Sequence, residues 1–224
     1  MYQTFEELNH TVIKCHRCPR LVAFREQVPA RAAYANEEYW RKPVPGYGDP
    51  KAWLLILGLA PAAHGGNRTG RLFTGDSSAR FLFKALYDEG LANQPTSEFK
   101  DDGLLLFGAY MTAVVKCVPP KDKPNMQECR NCSDYLYAEL NLLKNIRAVL
   151  ALGRFAFDAF KSYAKMHGNN TKGIQFSHGA RFEMPSFPTL YAAYHPSPQN
   201  TNTGKLNQEM LKAVLRQIKE DQTR

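Results

Sequence analysis

Five cysteines have the residue type and spacing to bind a metal ion or an iron–sulfur cluster. They are Cys15, Cys18, Cys117, Cys129 and Cys132. The first two form a C-x-x-C pair and the others lie far along the chain, a pattern compatible with zinc or with an iron–sulfur cluster. Four thiolates suffice for either, so either Cys129 or Cys132 is expected to be a free thiol. An odd number of cysteines also argues against a disulfide framework.

A glycine-rich loop, GLAPAAHGGNRTGRLFTGD at residues 58–76, combines an aromatic ring, Phe73, with a carboxylate, Asp76. Glycines let the main chain approach a ligand closely. An aromatic ring and a carboxylate in the same loop are candidate ligand-binding groups. The alternatives are that the glycines only form turns, that Phe73 belongs to the core and that Asp76 only caps a helix.

A second motif, HPSPQN at residues 195–200, places one imidazole between a predicted core strand and two prolines. A single histidine is more often structural than catalytic. His195, however, follows the carboxyl end of a strand, which is where ligands bind in α/β folds. His195 is therefore the first candidate for a catalytic residue.

Alternating strands and helices must position these motifs. Continuous apolar runs predict buried strands at residues 53–60, 148–153 and 189–194, and a further strand is predicted to end at Cys117. Helical spacing predicts helices at residues 4–10, 77–89, 126–145, 154–166 and 205–219. The stretch from residue 15 to residue 50 is predicted to be irregular.

The repeated order of strand, loop and helix predicts one α/β domain over residues 1–224, with a mainly parallel sheet flanked by helices. Residues 1–50 are interpreted as an N-terminal arm that carries two of the cysteines. In such folds the ligand site forms beyond the carboxyl ends of the strands. The loops after residues 60, 115 and 194 are therefore expected to meet.

Charge and hydropathy restrict the classes of partner. The 224-residue chain carries a formal net charge of +8, which favours a polyanion such as nucleic acid, although a merely basic surface is the alternative. No apolar run approaches the roughly 20 residues that cross a bilayer, and the sequence MYQTFEELNH resembles no export signal. We therefore expect an intracellular protein of the cytoplasm or nucleoid that does not bind membranes.

Together the motifs resemble the uracil-DNA glycosylase superfamily. The resemblance extends through PVPGYGDPKAWLLILGLAPAAHGGNRTGRLFTGD, KCVPP, ALGRFAF and YHPSPQN, so it covers nearly the whole chain. The glycine-rich loop is similar to the water-activating loop of that family, and HPSP is similar to the loop that enters the minor groove. Within the superfamily the loop is similar to family 5, the iron–sulfur UDGb type, because Leu59 stands where family 4 carries a glutamate.

The resemblance implies the three-layer fold of that superfamily and a function in base excision repair. The implied reaction is hydrolysis of the N-glycosidic bond of uracil, and of other deaminated bases such as hypoxanthine and xanthine, in double-stranded and also single-stranded DNA. The implied cofactor is a structural 4Fe-4S cluster bound by Cys15, Cys18, Cys117 and Cys132. In this assignment Cys129 is the spare cysteine, because Cys132-Ser-Asp-Tyr-Leu matches the sequence around the family's fourth ligand.

The resemblance also suggests roles for loop residues. The implied catalytic residues are Asp76 and His195, and Phe73 is implied to stack on the flipped base. The other expected substrate-binding residues are Gly58, Ala60, Pro61, His64 and Asn67. The expected DNA-binding residues are Arg68, Arg71, Ser77 and Ser197.

Two positions depart from the superfamily pattern. Ala60 stands where other members carry a water-activating aspartate, and Ala113 stands where many carry an asparagine that reads the pyrimidine edge. Loss of that amide predicts a broader base range. No motif positions a lysine for a Schiff base, so a monofunctional, monomeric enzyme is expected. The alternatives are a non-catalytic nucleic-acid-binding protein with a structural zinc, and an iron–sulfur redox or sensor protein.

Overall fold

A six-stranded sheet forms the centre of the computed structural model, which describes residues 2–222. Its strands are β1 (Tyr47–Gly48), β2 (Leu54–Gly58), β3 (Ala109–Ala113), β4 (Ala148–Leu152), β5 (Arg181–Met184) and β6 (Phe187–Ala193). Their order across the sheet is β1-β3-β2-β4-β6-β5. The four inner strands are parallel and the two edge strands are antiparallel to their neighbours. This confirms the mainly parallel sheet expected from the sequence.

Helices cover both faces of the sheet. They are α1 (Phe5–Ile13), α2 (Pro19–Gln27), α3 (Gly66–Thr69), α4 (Ser77–Asp88), α5 (Met126–Leu142), α6 (Arg154–Met166), α7 (Pro198–Asn202) and α8 (Gln208–Gln222). Side chains of α1, α2, α5 and α6 pack in one core cluster with Leu55 and Leu57, whereas α4 and α8 pack with Leu54 and Ile56. Successive side chains of β2 therefore point into two different cores, one on each face of the sheet. This gives the three-layer α/β architecture.

Local sequence signals explain most helix starts. The hydroxyl of Thr4 accepts a hydrogen bond from the backbone N–H of Glu7 at 3.2 Å and caps α1. Asn125 and Glu128 form a reciprocal capping box at the start of α5. Within residues 2–222, every helix is too short or too polar to span a bilayer.

Several sequence-based boundaries were wrong, among them the ends of α1 at Ile13 and of α5 at Leu142. Residues 15–50 are not irregular throughout, because α2 begins with proline in its first turn, a favoured position for that residue. The apolar periodicity of α2 is weak, because one of its two buried residues, Leu21 and Arg25, is charged. Strand β3 ends at Ala113 rather than at Cys117, and the backbone N–H of Lys116 donates to a cysteine sulfur. Helix α8 begins at Gln208, three residues later than expected.

Candidate active site

Loops from three parallel strands meet at the carboxyl edge of the sheet. The ring of Phe73 lies over the end of β2, where a Cβ added to Gly58 would be 3.0 Å from its Cε2 atom. The rings of Phe73 and His195 have centroids 5.9 Å apart. A Cβ added to Gly153, just after β4, would be 3.3 Å from the Cβ of His195. The two sequence motifs therefore form one site.

The aromatic ring of the site is held by a strained backbone. Phe73 has φ of 47°, in the left-handed region that non-glycine residues rarely occupy. It is partly buried and packs against a small cluster formed by Val44, Leu72 and Ala113. Such strain concentrates at functional sites. Phe73 is thus fixed beside His195 without being fully enclosed in the core.

The imidazole of His195 is neutral at physiological pH. Burial lowers the pKa of this side chain to about 4. Its backbone carbonyl accepts hydrogen bonds of 2.8 Å from the N–H of Ser197 and from Nδ2 of Asn200, which fixes the turn that carries the ring. A neutral imidazole has one N–H donor, so His195 can donate a single hydrogen bond to a ligand.

The two carboxylate oxygens of Asp76 lie in different environments. Its Oδ1 atom accepts a 2.8 Å hydrogen bond from the N–H of Ala79 and caps α4. Its Oδ2 atom lies against Gly65 in the glycine-rich loop, where any Cβ would clash with it. Burial raises the pKa of this carboxyl, although backbone hydrogen bonds from Ala79 and Ser78 oppose the shift. Asp76 therefore caps α4 with one oxygen and lies against the glycine-rich loop with the other.

Arg68, which we expected to supply charge towards DNA, is buried in intramolecular contacts. Its Nε atom donates to the carbonyl of His64 at 2.9 Å and its Nη2 atom donates to the carbonyl of Gly75 at 3.1 Å. It also pairs with Glu37, and its guanidinium lies 3.9 Å from the ring centroid of Tyr34. The expectation is corrected, since these partners leave the guanidinium inside the loop.

The expectation that Arg71 contacts DNA is corrected for the same reason. Its guanidinium donates to the hydroxyls of Thr74 and Ser97, to the carbonyl of Lys100 and to the carboxylate of Asp102, with all four distances at 2.8 or 2.9 Å. Both members of the ion pair with Asp102 are nearly inaccessible. Arg71 therefore ties the glycine-rich loop to the segment around residue 100.

Replacing Arg71 with methionine is expected to lower the free energy of unfolding by about 3 kcal/mol, because it removes the counter-ion of Asp102, which keeps three backbone N–H donors, and the hydrogen bonds of the guanidinium to Ser97 and Lys100. The salt dependence of DNA binding should stay at the wild-type slope. Chemical denaturation and binding titrations at several salt concentrations measure the two effects. Lys84→Met, which removes an exposed cation from α4, is the control and should cost less than about 1 kcal/mol. A reduced salt slope with unchanged stability would restore the DNA-contact interpretation.

The other expected substrate-binding residues lie in different surroundings. Asn67 is buried, and its Nδ2 atom donates to the carbonyl of Arg25 at 3.1 Å, so its amide is not directed at a ligand and this expectation is corrected. The Nδ1 atom of His64 is 3.0 Å from the hydroxyl of Tyr39. Pro61 is buried and Ala60 packs against the larger core. Among the residues expected to bind substrate, these contacts place Phe73 beside His195 and Gly58 beside Phe73.

The two serines expected to contact DNA are at helix starts. Ser77 is exposed in the first turn of α4, directly after Asp76. Ser197 precedes α7 in the loop that carries His195 and is partly exposed. Neither serine is buried, and each lies within two residues of a candidate catalytic residue in the sequence.

Four cysteines line one pocket between α2, α5 and the segment after β3. They are Cys15, Cys18, Cys117 and Cys132. Three nitrogen atoms point at their sulfur atoms: Nη1 of Arg25 at 3.2 Å from Cys117, the backbone N of Lys116 at 3.2 Å from Cys132, and Nδ2 of Asn131 at 3.6 Å from Cys18. Hydrogen bonds to sulfur are one means by which proteins tune metal–thiolate groups. This donor set fits an iron–sulfur cluster.

Burial distinguishes the cysteines. It raises the pKa of the Cys117 thiol to about 11 and that of Cys132 to about 12, because little water is present to stabilise a thiolate. Cys129 is half-buried and does not line the pocket. Among residues 2–222, no group of three or more His, Cys, Asp or Glu side chains is arranged to hold a single metal ion. Arg25, which enters the pocket, was missed by sequence reasoning because no motif contains it.

Comparison with known proteins is consistent with this geometry. The sequence model of the uracil DNA glycosylase superfamily matches residues 45–219. A type-5 uracil-DNA glycosylase of Thermus thermophilus is 47% identical over 96% of this chain and 96% of its own length. One from Pyrobaculum aerophilum is 45% identical, over 97% of this chain and 93% of its own. A type-4 uracil-DNA glycosylase of Sulfurisphaera tokodaii is 28% identical over 94% of this chain and 83% of its own.

Proposed function

Because the chain belongs to the uracil DNA glycosylase superfamily, and within it to the type-5 uracil-DNA glycosylases, we propose that it hydrolyses the N-glycosidic bond of uracil in DNA during base excision repair. The observation that carries this proposal is the meeting of Phe73 and His195 at the carboxyl edge of the sheet, with Asp76 at the end of the same glycine-rich loop that carries Phe73. The reaction builds positive charge on the sugar and negative charge on the departing base. A site for it therefore needs a base platform, a donor and a water-orienting group.

The base platform is Phe73. Uracil must leave the base stack before its glycosidic bond can be reached. Stacking on an aromatic side chain contributes about 1 to 3 kcal/mol per base in single-stranded nucleic acid complexes. The fixed position of Phe73 between Gly58 and His195 supports this role.

The donor is His195. As the glycosidic bond breaks, negative charge grows on the carbonyl oxygen of the base, and a preorganised hydrogen bond stabilises it. The pKa of about 4 keeps the imidazole neutral, so it stabilises the charge by hydrogen bonding without transferring a proton beforehand.

The water-orienting group is Asp76. Its Oδ1 atom is occupied by the helix cap, and its Oδ2 atom faces the glycine-rich loop. In its charged form this carboxylate orients the attacking water or stabilises the positive sugar. Asp76 thereby supplies the carboxylate that is missing at Ala60.

We propose that the base range extends to hypoxanthine and xanthine. Ala113 is buried in the small cluster against which Phe73 packs, and its methyl group cannot hydrogen-bond a pyrimidine edge. A pocket without such a polar group rejects other bases less strongly.

Duplex oligonucleotides with a single uracil, hypoxanthine or xanthine test the proposal. The wild-type protein should generate strand breaks only after alkali, because a monofunctional glycosylase leaves an abasic site in an intact strand. Duplexes with undamaged bases are the control. Binding without base release from any substrate would favour a non-catalytic nucleic-acid-binding protein, whereas strand breaks before alkali would contradict monofunctional chemistry.

We further propose that the four pocket cysteines hold a 4Fe-4S cluster with a structural role. When bound, the cluster links segments of the chain through iron–sulfur bonds and supplies no electron to the hydrolysis. It would join the N-terminal arm, through Cys15 and Cys18, to the segment after β3 and to α5. Zinc is the alternative ion for four thiolates.

Cys132→Ser is expected to abolish stable iron incorporation, because it removes one of the four thiols that line the pocket. Cys129→Ser is the matched control on the same helix and should retain wild-type iron and acid-labile sulfide. Metal analysis and the visible absorption spectrum of anaerobically purified protein measure both. A Cys129→Ser protein that loses iron while Cys132→Ser keeps it would reverse the ligand assignment, and stoichiometric zinc without iron in the wild type would contradict the cluster.

The partner in this proposal is DNA, chiefly double-stranded and secondarily single-stranded, and the protein acts as a monomer in the cytoplasm or nucleoid. The net charge of +8 supports binding to a polyanion. Ser77 and Ser197 are proposed to contact the sugar–phosphate backbone, because both lie at the edge that carries Asp76 and His195.

A further inference from the structure

We propose that Arg25 is a positioning residue that couples the four-cysteine pocket to the glycine-rich loop of the active site. Its side chain contacts the cysteine pocket, and its backbone carbonyl binds the loop. This inference rests on the proposed cluster and extends it, because it makes the geometry of the active site dependent on a distant metal group.

The guanidinium of Arg25 is built into the pocket. Arg25 is 1% exposed, and its Nη1 atom donates to Sγ of Cys117 at 3.2 Å and to the carbonyl of Cys15 at 3.1 Å. Its ion pair is with Glu26 at 3.5 Å, but that carboxylate is half exposed. Its buried Nε atom has no hydrogen-bond partner within the described residues.

A buried cation with so little compensation is unfavourable unless negative charge lies beside it. Four thiolates on a cluster provide such charge in the same pocket. The hydrogen bond to Cys117 would then stabilise the more negative, reduced form of the cluster. Arg25 is therefore suited to a thiolate-rich group and gains nothing comparable from neutral thiols.

The opposite end of the connection is the glycine-rich loop. The carbonyl of Arg25 accepts the 3.1 Å hydrogen bond from Nδ2 of Asn67, which is also 1% exposed. Asn67 belongs to α3, and Gly65, the residue before α3, lies against Oδ2 of Asp76. A continuous set of contacts thus runs from Cys117 through Arg25 and Asn67 to the loop that surrounds Asp76.

The coupling acts through position. The side chain of Arg25 fixes the last turns of α2 against the pocket, and the carbonyl of that turn holds Asn67. A displacement of about 1 Å in a catalytic group can cost on the order of a hundred-fold in rate. Loosening either end is therefore expected to slow base excision, but only the pocket end is expected to change the cluster.

Two variants separate the ends. Arg25→Met removes the pocket contact and Asn67→Ala removes the loop contact, while Arg20→Met removes an arginine of α2 that pairs with Glu128 outside the pocket. The readouts are the reduction potential of the cluster, amide hydrogen exchange at residues 61–70, iron content and the single-turnover rate of uracil excision. Arg25→Lys, which retains the charge, is made alongside them.

Arg25→Met should shift the reduction potential to more negative values, speed exchange at residues 61–70 and slow excision by about ten- to a hundred-fold. Asn67→Ala should speed exchange and slow excision to a similar extent at the wild-type potential. Arg20→Met should match the wild type in potential and exchange. If Arg25→Met does not fold, Arg25→Lys is expected to show an intermediate shift in potential together with faster exchange.

A wild-type potential in the folded Arg25 variants would overturn the pocket contact, and unchanged exchange in Asn67→Ala would overturn the loop contact. Either result refutes the coupling. Failure of the underlying cofactor proposal has a different signature, since the wild-type protein would then contain no iron or acid-labile sulfide.

Discussion

Replacing His195 with alanine is expected to slow uracil excision by about 100- to 1000-fold, the range seen when one preorganised donor to a developing negative charge is removed. His195 is placed for this role beside Phe73 and Gly153, and its neutral imidazole carries one N–H. Single-turnover excision from a uracil-containing duplex, at saturating enzyme, measures the effect without interference from product release.

His195→Gln is the matched variant, because its amide keeps an N–H donor at a similar reach. It should recover part of the rate lost in His195→Ala. The affinity for a duplex with an abasic site should change little in either variant, and the free energy of unfolding should fall only by the packing that the ring loses beside Phe73. An alanine variant that excises uracil at nearly the wild-type rate would remove His195 from the mechanism.

Replacing Asp76 with asparagine is expected to slow excision by about 100-fold or more, the scale of a positioned general base. Asparagine caps helices about as well as aspartate, so the free energy of unfolding should stay within about 0.5 kcal/mol of wild type. Asp76→Ala should lose a similar factor in rate and also about 1 kcal/mol of stability, because it removes the hydrogen bond to Ala79. Single-turnover rates and chemical denaturation separate the two roles.

The pH dependence of the excision rate provides an independent test of the role of Asp76. The carboxylate must be charged to orient water, and burial raises its pKa, so the excision rate should fall as the pH drops through a value above the ordinary pKa of an aspartate. His195 stays neutral above its pKa of about 4 and adds no transition near neutral pH. Asp76→Asn should lack the acidic limb. An unchanged limb in that variant, or unchanged activity, would assign Asp76 to the helix cap alone.

Much of the fold could be predicted because its signals are local. Strand β2 is buried along its whole length, which requires the continuous apolar run at residues 54–58. Helix α6 runs over the predicted residues, and Asp76 caps α4, which the sequence offered as the alternative role for this residue. The two-residue strand β1 and the antiparallel strand β5 depend on their neighbours for hydrogen bonds, and neither carries a strong apolar alternation of its own.

The site could be predicted less completely. The positions of His195 and Phe73 follow from strand ends, since parallel strands bring their carboxyl termini to one edge. Arg68 and Arg71 have the residue type of phosphate contacts, but their partners Glu37 and Asp102 lie 31 residues away in each case. No local pattern reveals such a partner. Asn67 was misassigned for the same reason, because it binds a helix that the sequence did not predict.

Mass spectrometry of a uracil-containing duplex incubated with the wild-type protein tests the central claim most directly. The claim is that this site hydrolyses the bond between uracil and deoxyribose. The predicted result is free uracil and an intact strand whose mass corresponds to loss of uracil and gain of water, with no enzyme–DNA adduct trapped by borohydride. An unchanged strand without free uracil, or a trapped covalent adduct, would contradict the account.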